Sequence, residues 1–174
     1  AYGTHTYIHD ALESGGGTIP RENVVLLTKT HAQSAADMRR DLDRFRKEVG
    51  TDYLDIVLLH CELSENWPET HAGAMEVLSE AKTNGVVKAH GVSCHSLGAL
   101  RRAAREPWVD VDLARLNPWG RHMDADVETV KGVLGEMRQT GKGVIGMKIL
   151  AQGEADTPAK LERAIDHAVN CGLL

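Results

Sequence analysis

The chain has 174 residues, a formal net charge of −5, 42% hydrophobic and 26% charged residues, and only 4% aromatics. That length supports a sizeable, mainly aliphatic core and that composition argues against a disordered chain. A negative balance without a basic stripe among aromatics argues against nucleic-acid binding, and apolar runs such as YLDIVLLH, interrupted by Asp55, are too short to span a membrane.

In chain order, a short helix is predicted from Gly3 to Leu12, followed by an apolar strand from Asn23 to Lys29. Ser34 is a helix N-cap for an amphipathic segment around Met38 to Glu48, and a second strand runs from Tyr53 to His60. Pro68 opens the next helix and Asn84-Gly85 closes it. A third strand covers Val86 to Ser93, and Ser96 caps the helix after it. The fourth strand covers Val109 to Asn117, and a helix from Asp124 or Asp126 ends at Gly141. The fifth strand covers Gly143 to Leu150, and Thr157-Pro158 opens a last helix that ends near Gly172.

Short β-branched runs alternating with amphipathic helices predict βα units and a parallel sheet. Each predicted strand ends on a polar or reactive residue: Lys29, His60, Ser93 with Cys94, Asn117, and Lys148. Convergence of strand ends on one mouth is a property of (β/α)8 barrels, so the fold class expected is an incomplete TIM barrel with five parallel strands, residues 1–174 forming a single partial barrel domain. Eight strands close such a barrel. The chain opens on a helix, so a strand is expected before Ala1 and another after Leu174.

Three cysteines, Cys61, Cys94 and Cys171, show no CxxC spacing. With no secretory segment ahead of Ala1, they point to a cytoplasmic protein without a disulfide framework or structural zinc.

Several motifs, in order, resemble the aldo-keto reductase family along essentially the whole chain. YGTHTYIHDAL resembles the start of the family's second barrel helix, VVLLTKT its strand three, and GTDYLDIVLLH its strand four. AHGVSCHS is similar to strand five, LARLNPWG to strand six and GKGVIGMKIL to strand seven. On this likeness the chain covers helix two to helix seven and lacks strands one, two and eight.

The resemblance implies an oxidoreductase that reduces an aldehyde or ketone with hydride from a nicotinamide cofactor, NADP(H) favoured over NAD(H), and a small-molecule carbonyl substrate as its partner. Tyr2 is implied as proton donor, with Lys29 and His60 assisting. A phenol with an ordinary pKa of about 10 is a weak acid, and a neighbouring ammonium makes it a better one. An imidazole can polarise the carbonyl oxygen. Ser93, Asn117, Met147, Lys148 and Leu150 are the implied cofactor contacts. Cys94 stands where the family commonly has asparagine. The family's aspartate partner of the lysine is absent from the matched motifs, and Asp55, five positions before His60, points to the opposite pleat face.

Two alternatives accompany this reading. One is a nucleotide-binding or regulatory module of the same fold without turnover. The other is a metal-dependent barrel hydrolase using His60, His95 and His122 among the nine histidines, although no HxH or HExxH spacing occurs and no metal ligand set is predicted. GKGVIGMKIL also resembles family members with an added iron–sulfur domain, but no cysteine cluster accompanies it and no cluster is expected.

Overall fold

In a computed structural model, residues 3–174 are described. Tyr2, the implied proton donor, lies outside the described residues. Five strands hydrogen-bond in chain order: β1 (Leu27–Thr30), β2 (Leu54–Glu62), β3 (Val87–Cys94), β4 (Val111–Arg115) and β5 (Gly143–Met147). The β1/β2 and β4/β5 pairs are parallel. Among the described residues, seven α-helices accompany them: α1 (His5–Ala11), α2 (Ala35–Val49), α3 (Trp67–Thr70), α4 (Ala72–Thr83), α5 (Leu97–Arg105), α6 (Val127–Gln139) and α7 (Pro158–Asn170). The chain groups into two compact units, one of Ala1–His60 with Pro68–Gly91, the other of Cys61–Trp67 with Val92–Leu174.

In the first unit, Ser34 caps α2 by accepting the Asp37 N–H at 3.1 Å, and Met38, Leu42, Phe45 and Val49 are buried at helical spacing along it. Helix α1 docks on α2 through two imidazoles. His5 is buried, donates from Nδ1 to the Glu48 carboxylate at 2.6 Å, sits 2.9 Å from the Thr28 hydroxyl through Nε2, and meets Phe45 edge-on. His9 donates to the Val49 carbonyl at 3.0 Å. Gly50 ends α2 at φ +72°, and a Cβ there would stand 2.5 Å from the His9 ring, so both the left-handed turn and the close approach require glycine.

Strand β1 starts four residues later than predicted, because residues 21–23 form a 3-10 turn. The Arg21 guanidinium holds that turn to the carbonyls of Val24 and Tyr53, the Thr51 hydroxyl and the Asp55 carboxylate. Strand β2, by contrast, runs two residues past His60. The helix expected from Pro68 to Asn84 is two, broken at His71, whose backbone is non-helical.

In the second unit, α5, α6 and α7 are capped by Ser96, Asp126 and Thr157, each accepting the N–H three residues on. Asp126 therefore starts α6; Asp124 is taken up instead by Arg115. Ala99, Leu100, Val130, Leu134 and Met137 are buried between the helices and strands. The buried Lys142 ammonium donates to the carbonyls of Glu106 and Val109, tying the entries of β4 and β5 together.

Candidate active site

The two parallel strands of the first unit fix where Lys29 and His60 stand. Lys29 pairs with Leu58 and Thr30 with Leu59, so His60 follows one rung beyond the last residue of β2 that pairs with β1. In a parallel pair, residues on one rung point to the same face and alternate residues share it. Lys29 and Leu58 therefore share a face, and His60, two residues after Leu58, shares it too. The opposite face of β1 is the one toward the helices: Thr28 is bonded to His5 of α1, and Thr30 donates to Asp41 of α2. Lys29 and His60 are both half-buried, at the carboxyl ends of adjacent strands.

Asp55 lies on the other face of β2, toward its amino end, as the pleat requires. Its carboxylate accepts from Arg21 at 2.7 Å, from Lys88 at 2.9 Å and from the Leu26 N–H at 2.9 Å. Burial alone would raise its pKa, but the Leu26 N–H, Lys88 and Arg21 together hold it below the ordinary aspartate value. Arg21 and Lys88 also flank the Tyr53 ring at 4.0 and 4.1 Å. This cluster anchors strand entries.

The implied cofactor residues belong to the second unit. Ser93, at the end of β3, is fully buried and its hydroxyl oxygen accepts the Cys61 N–H at 3.0 Å, leaving the hydroxyl proton to be donated. Cys61 reaches that bond with φ +69°, a left-handed backbone uncommon outside glycine. Asn117 is also fully buried. Its Nδ2 donates to the carbonyls of Arg121 at 2.7 Å and Lys148 at 3.3 Å, and its Oδ1 accepts from the N–H groups of Trp119 and Arg121. That uses the donors and acceptors of the amide, so a nicotinamide contact would have to replace one of these bonds.

Met147 ends β5 opposite Arg115, half-buried, and Lys148 ends the predicted fifth strand early by adopting φ +59°. Left-handed backbone recurs at Ala151, Gln152 and Gly153, next to the exposed Leu150. Three non-glycine residues in this region over five positions store strain of about 1–3 kcal/mol each, a pattern found where a loop is shaped for a ligand.

Cys94 is fully buried, and its thiol pKa is raised well above the ordinary value by burial and then by the Asp112 carboxyl beside it, so it remains a thiol. Asp112 itself is wholly buried and pushed up to about 7, chiefly by burial; Glu62 is likewise pushed up to about 7 by burial. Neither acid is marked in the sequence as titrating: Asp112 follows Asp110 by two residues in the fourth strand, and Glu62 follows His60 by two. A further residue was missed in the first unit. The His31 ring lies 4.6 Å from that of His60, centroid to centroid and tilted by 34°. The period of two that places Lys29 and His31 on one face was the available signal.

Among the described residues, no three His, Cys, Asp or Glu side chains come together to hold a metal ion, and His60, His95 and His122 form no such group. The three cysteines are free. No helix among those residues is long and apolar enough to cross a membrane.

The profile of the Aldo/keto reductase family matches residues 3–168. The chain belongs to that family. No curated protein sequence matches it significantly. Among solved structures, it is similar to a Pseudomonas aeruginosa protein assigned as an aldo-keto reductase, at 25% identity and TM-score 0.66, covering 84% of this chain and 58% of that one. An aldo-keto reductase from a Medee basin deep-sea metagenome library matches at 16% identity and TM-score 0.71 over 96% of this chain and 60% of its own. The Bombyx mori aldo-keto reductase solved with NADP matches at 16% identity and TM-score 0.65 over 95% and 57%. The last two carry the fold alone. The chain thus spans less than two thirds of the length of these structures. Its five parallel strands with alternating helices are part of the (β/α)8 fold of aldo-keto reductases.

Proposed function

We propose that this aldo-keto reductase chain serves the reduction of an aldehyde or ketone, with Tyr2 as proton donor and Lys29 and His60 as its assistants. One observation carries the reading. Lys29 and His60 emerge on the same face of adjacent parallel strands, at their carboxyl ends, where side chains from different strands of this fold meet a substrate. The Lys29 ammonium favours the phenolate left on Tyr2 when its proton is given up. The His60 imidazole donates a hydrogen bond to the carbonyl oxygen as negative charge develops there, and so holds the carbonyl for protonation.

A nicotinamide cofactor, when bound, supplies the hydride. The residues that fit it are the Ser93 hydroxyl, with a proton to donate, and Lys148, whose ammonium, on the turn that runs to Gly153, suits an anionic linker. Met147 and Leu150 supply apolar surface, and Asn117 holds the loop after β4 against Lys148. NADP is favoured over NAD because the Bombyx mori structure to which the fold is similar carries it.

The test mixes the chain with NADPH and 4-nitrobenzaldehyde and follows loss of the reduced nicotinamide absorbance. Turnover abolished by Tyr2→Phe, with NADPH binding retained, supports the assignment. NADPH binding without turnover would make the chain a nucleotide-holding module, and neither binding nor turnover would reject both.

A further inference from the structure

Two imidazoles, not one, stand at the carboxyl ends of β1 and β2. Thr30 pairs with Leu59, so His31 and His60 are the next residues on each strand, and their rings meet at 4.6 Å with a 34° tilt. His31 follows Lys29 by two residues, which brings it to the same sheet face as Lys29 and His60.

Its backbone is fixed from both sides. The Thr30 hydroxyl donates to Asp41 on α2 and accepts the Ala32 N–H at 3.0 Å, so a single side chain spans the peptide of His31 and ties it to the helix. Thr30 and Ala32 are both buried, whereas the His31 side chain is exposed. An exposed ring on a fixed backbone, packed against a half-buried one, restricts the second ring without contributing to the core. The second side-chain torsion of a histidine is intrinsically broad, so the contacts on its ring decide its orientation, and a hydrogen-bond donor that must meet a carbonyl oxygen loses effect when its ring turns.

We propose that His31 is a positioning residue for His60: its ring packs against the His60 imidazole and holds the orientation in which a ring N–H is presented to the substrate oxygen. The proposal rests on the role given to His60 above. It requires an aromatic ring at position 31, not a titratable one, and that separates it from a direct part in proton transfer.

His31→Ala and His31→Phe in the full chain test it, with kcat and KM measured for aldehyde and cofactor, and the three-bond NMR couplings across the Cβ–Cγ bond of His60 read for its second side-chain torsion. The expected result is a loss of about tenfold in kcat for His31→Ala, as misorientation of a catalytic group produces. Cofactor KM should stay unchanged, and the His60 couplings should average over rotamers. His31→Phe should recover most of the rate and the fixed couplings. Couplings that stay fixed in His31→Ala, wild-type kcat in that variant, or a His31→Phe as impaired as His31→Ala would each overturn the proposal. If the wild-type chain reduces no aldehyde, the function assigned to His60 falls, while the couplings still decide whether His31 orients its ring.

Discussion

The proton-transfer reading makes unequal demands on its three side chains. Replacing Lys29 by Met keeps the length of the side chain and the strand but removes the charge that favours a phenolate on Tyr2. General acid–base assistance contributes roughly 100- to 10,000-fold to rate. Lys29→Met is therefore expected to lower kcat by at least about 100-fold while NADPH dissociation, measured by quenching of tryptophan fluorescence, stays within about twofold. A parallel loss of cofactor affinity would mean that Lys29 acts through structure. Lys29, His60 and Ser93 stand out in the sequence because a change from apolar to polar marks the end of each predicted strand. The occupation of Asn117 was not. An asparagine at a strand end looks the same whether its amide meets a ligand or the loop, and four bonds to residues 119–121 and 148 are set by the path of two loops. His31 was overlooked for a different reason: it follows the strand it belongs to by one residue, so a boundary drawn at Lys29 hid its facing.

At the level of elements, caps and apolar periodicity were read well where the signal is local. Ser34, Ser96 and Thr157 cap the helices they were expected to cap. Boundaries failed where a tertiary bond decided them. Arg21 turns the residues before β1 into a 3-10 turn, Arg115 takes Asp124 away from the start of α6, and the left-handed Lys148 cuts β5 short. Ser96 offers a test, because its hydroxyl both accepts the Ala99 N–H at 3.1 Å and donates to the Leu63 carbonyl at 2.7 Å. Ser96→Ala loses the cap and leaves a loop carbonyl without its donor, so a destabilisation of about 1–2 kcal/mol is expected by urea unfolding. Asp55→Ala should cost more, about 3 kcal/mol, since it removes the charge partner of the largely buried Arg21 guanidinium and the acceptor of the Leu26 N–H together. A smaller loss for Asp55→Ala than for Ser96→Ala would mean that the Arg21 turn is held by its carbonyl partners alone.

For the molecule as a whole, the titrating groups set where it is most stable. Asp55 and Glu48 are held below their ordinary values, Asp55 against the cost of burial by the Leu26 N–H, Lys88 and Arg21, and Glu48 first by the His5 hydrogen bond. Their native forms bind fewer protons than the unfolded chain near pH 4, so the stability they contribute is present above that range and is lost as pH falls through it. Asp112 and Glu62 act in the opposite sense. Both are raised to about 7 by burial, so between the ordinary carboxylate range and pH 7 the native state holds protons that the unfolded chain has released. Stability therefore falls as pH rises from about 4.5 to 7 and levels off above that. His167, lowered mainly by burial, works against this near pH 6, one smaller effect against two large ones. The unfolding midpoint in urea is expected to be highest near pH 5 and lower at pH 8. Asp112→Asn, which keeps the shape of the side chain without a titrating proton, should flatten the decline between pH 5 and 7 while leaving the acid limb, set by Asp55 and Glu48, in place. A variant whose stability still falls between pH 5 and 7 as steeply as the parent would show that Asp112 is ionised in the folded chain throughout, and that its neighbour Cys94 lies beside a carboxylate rather than a neutral acid.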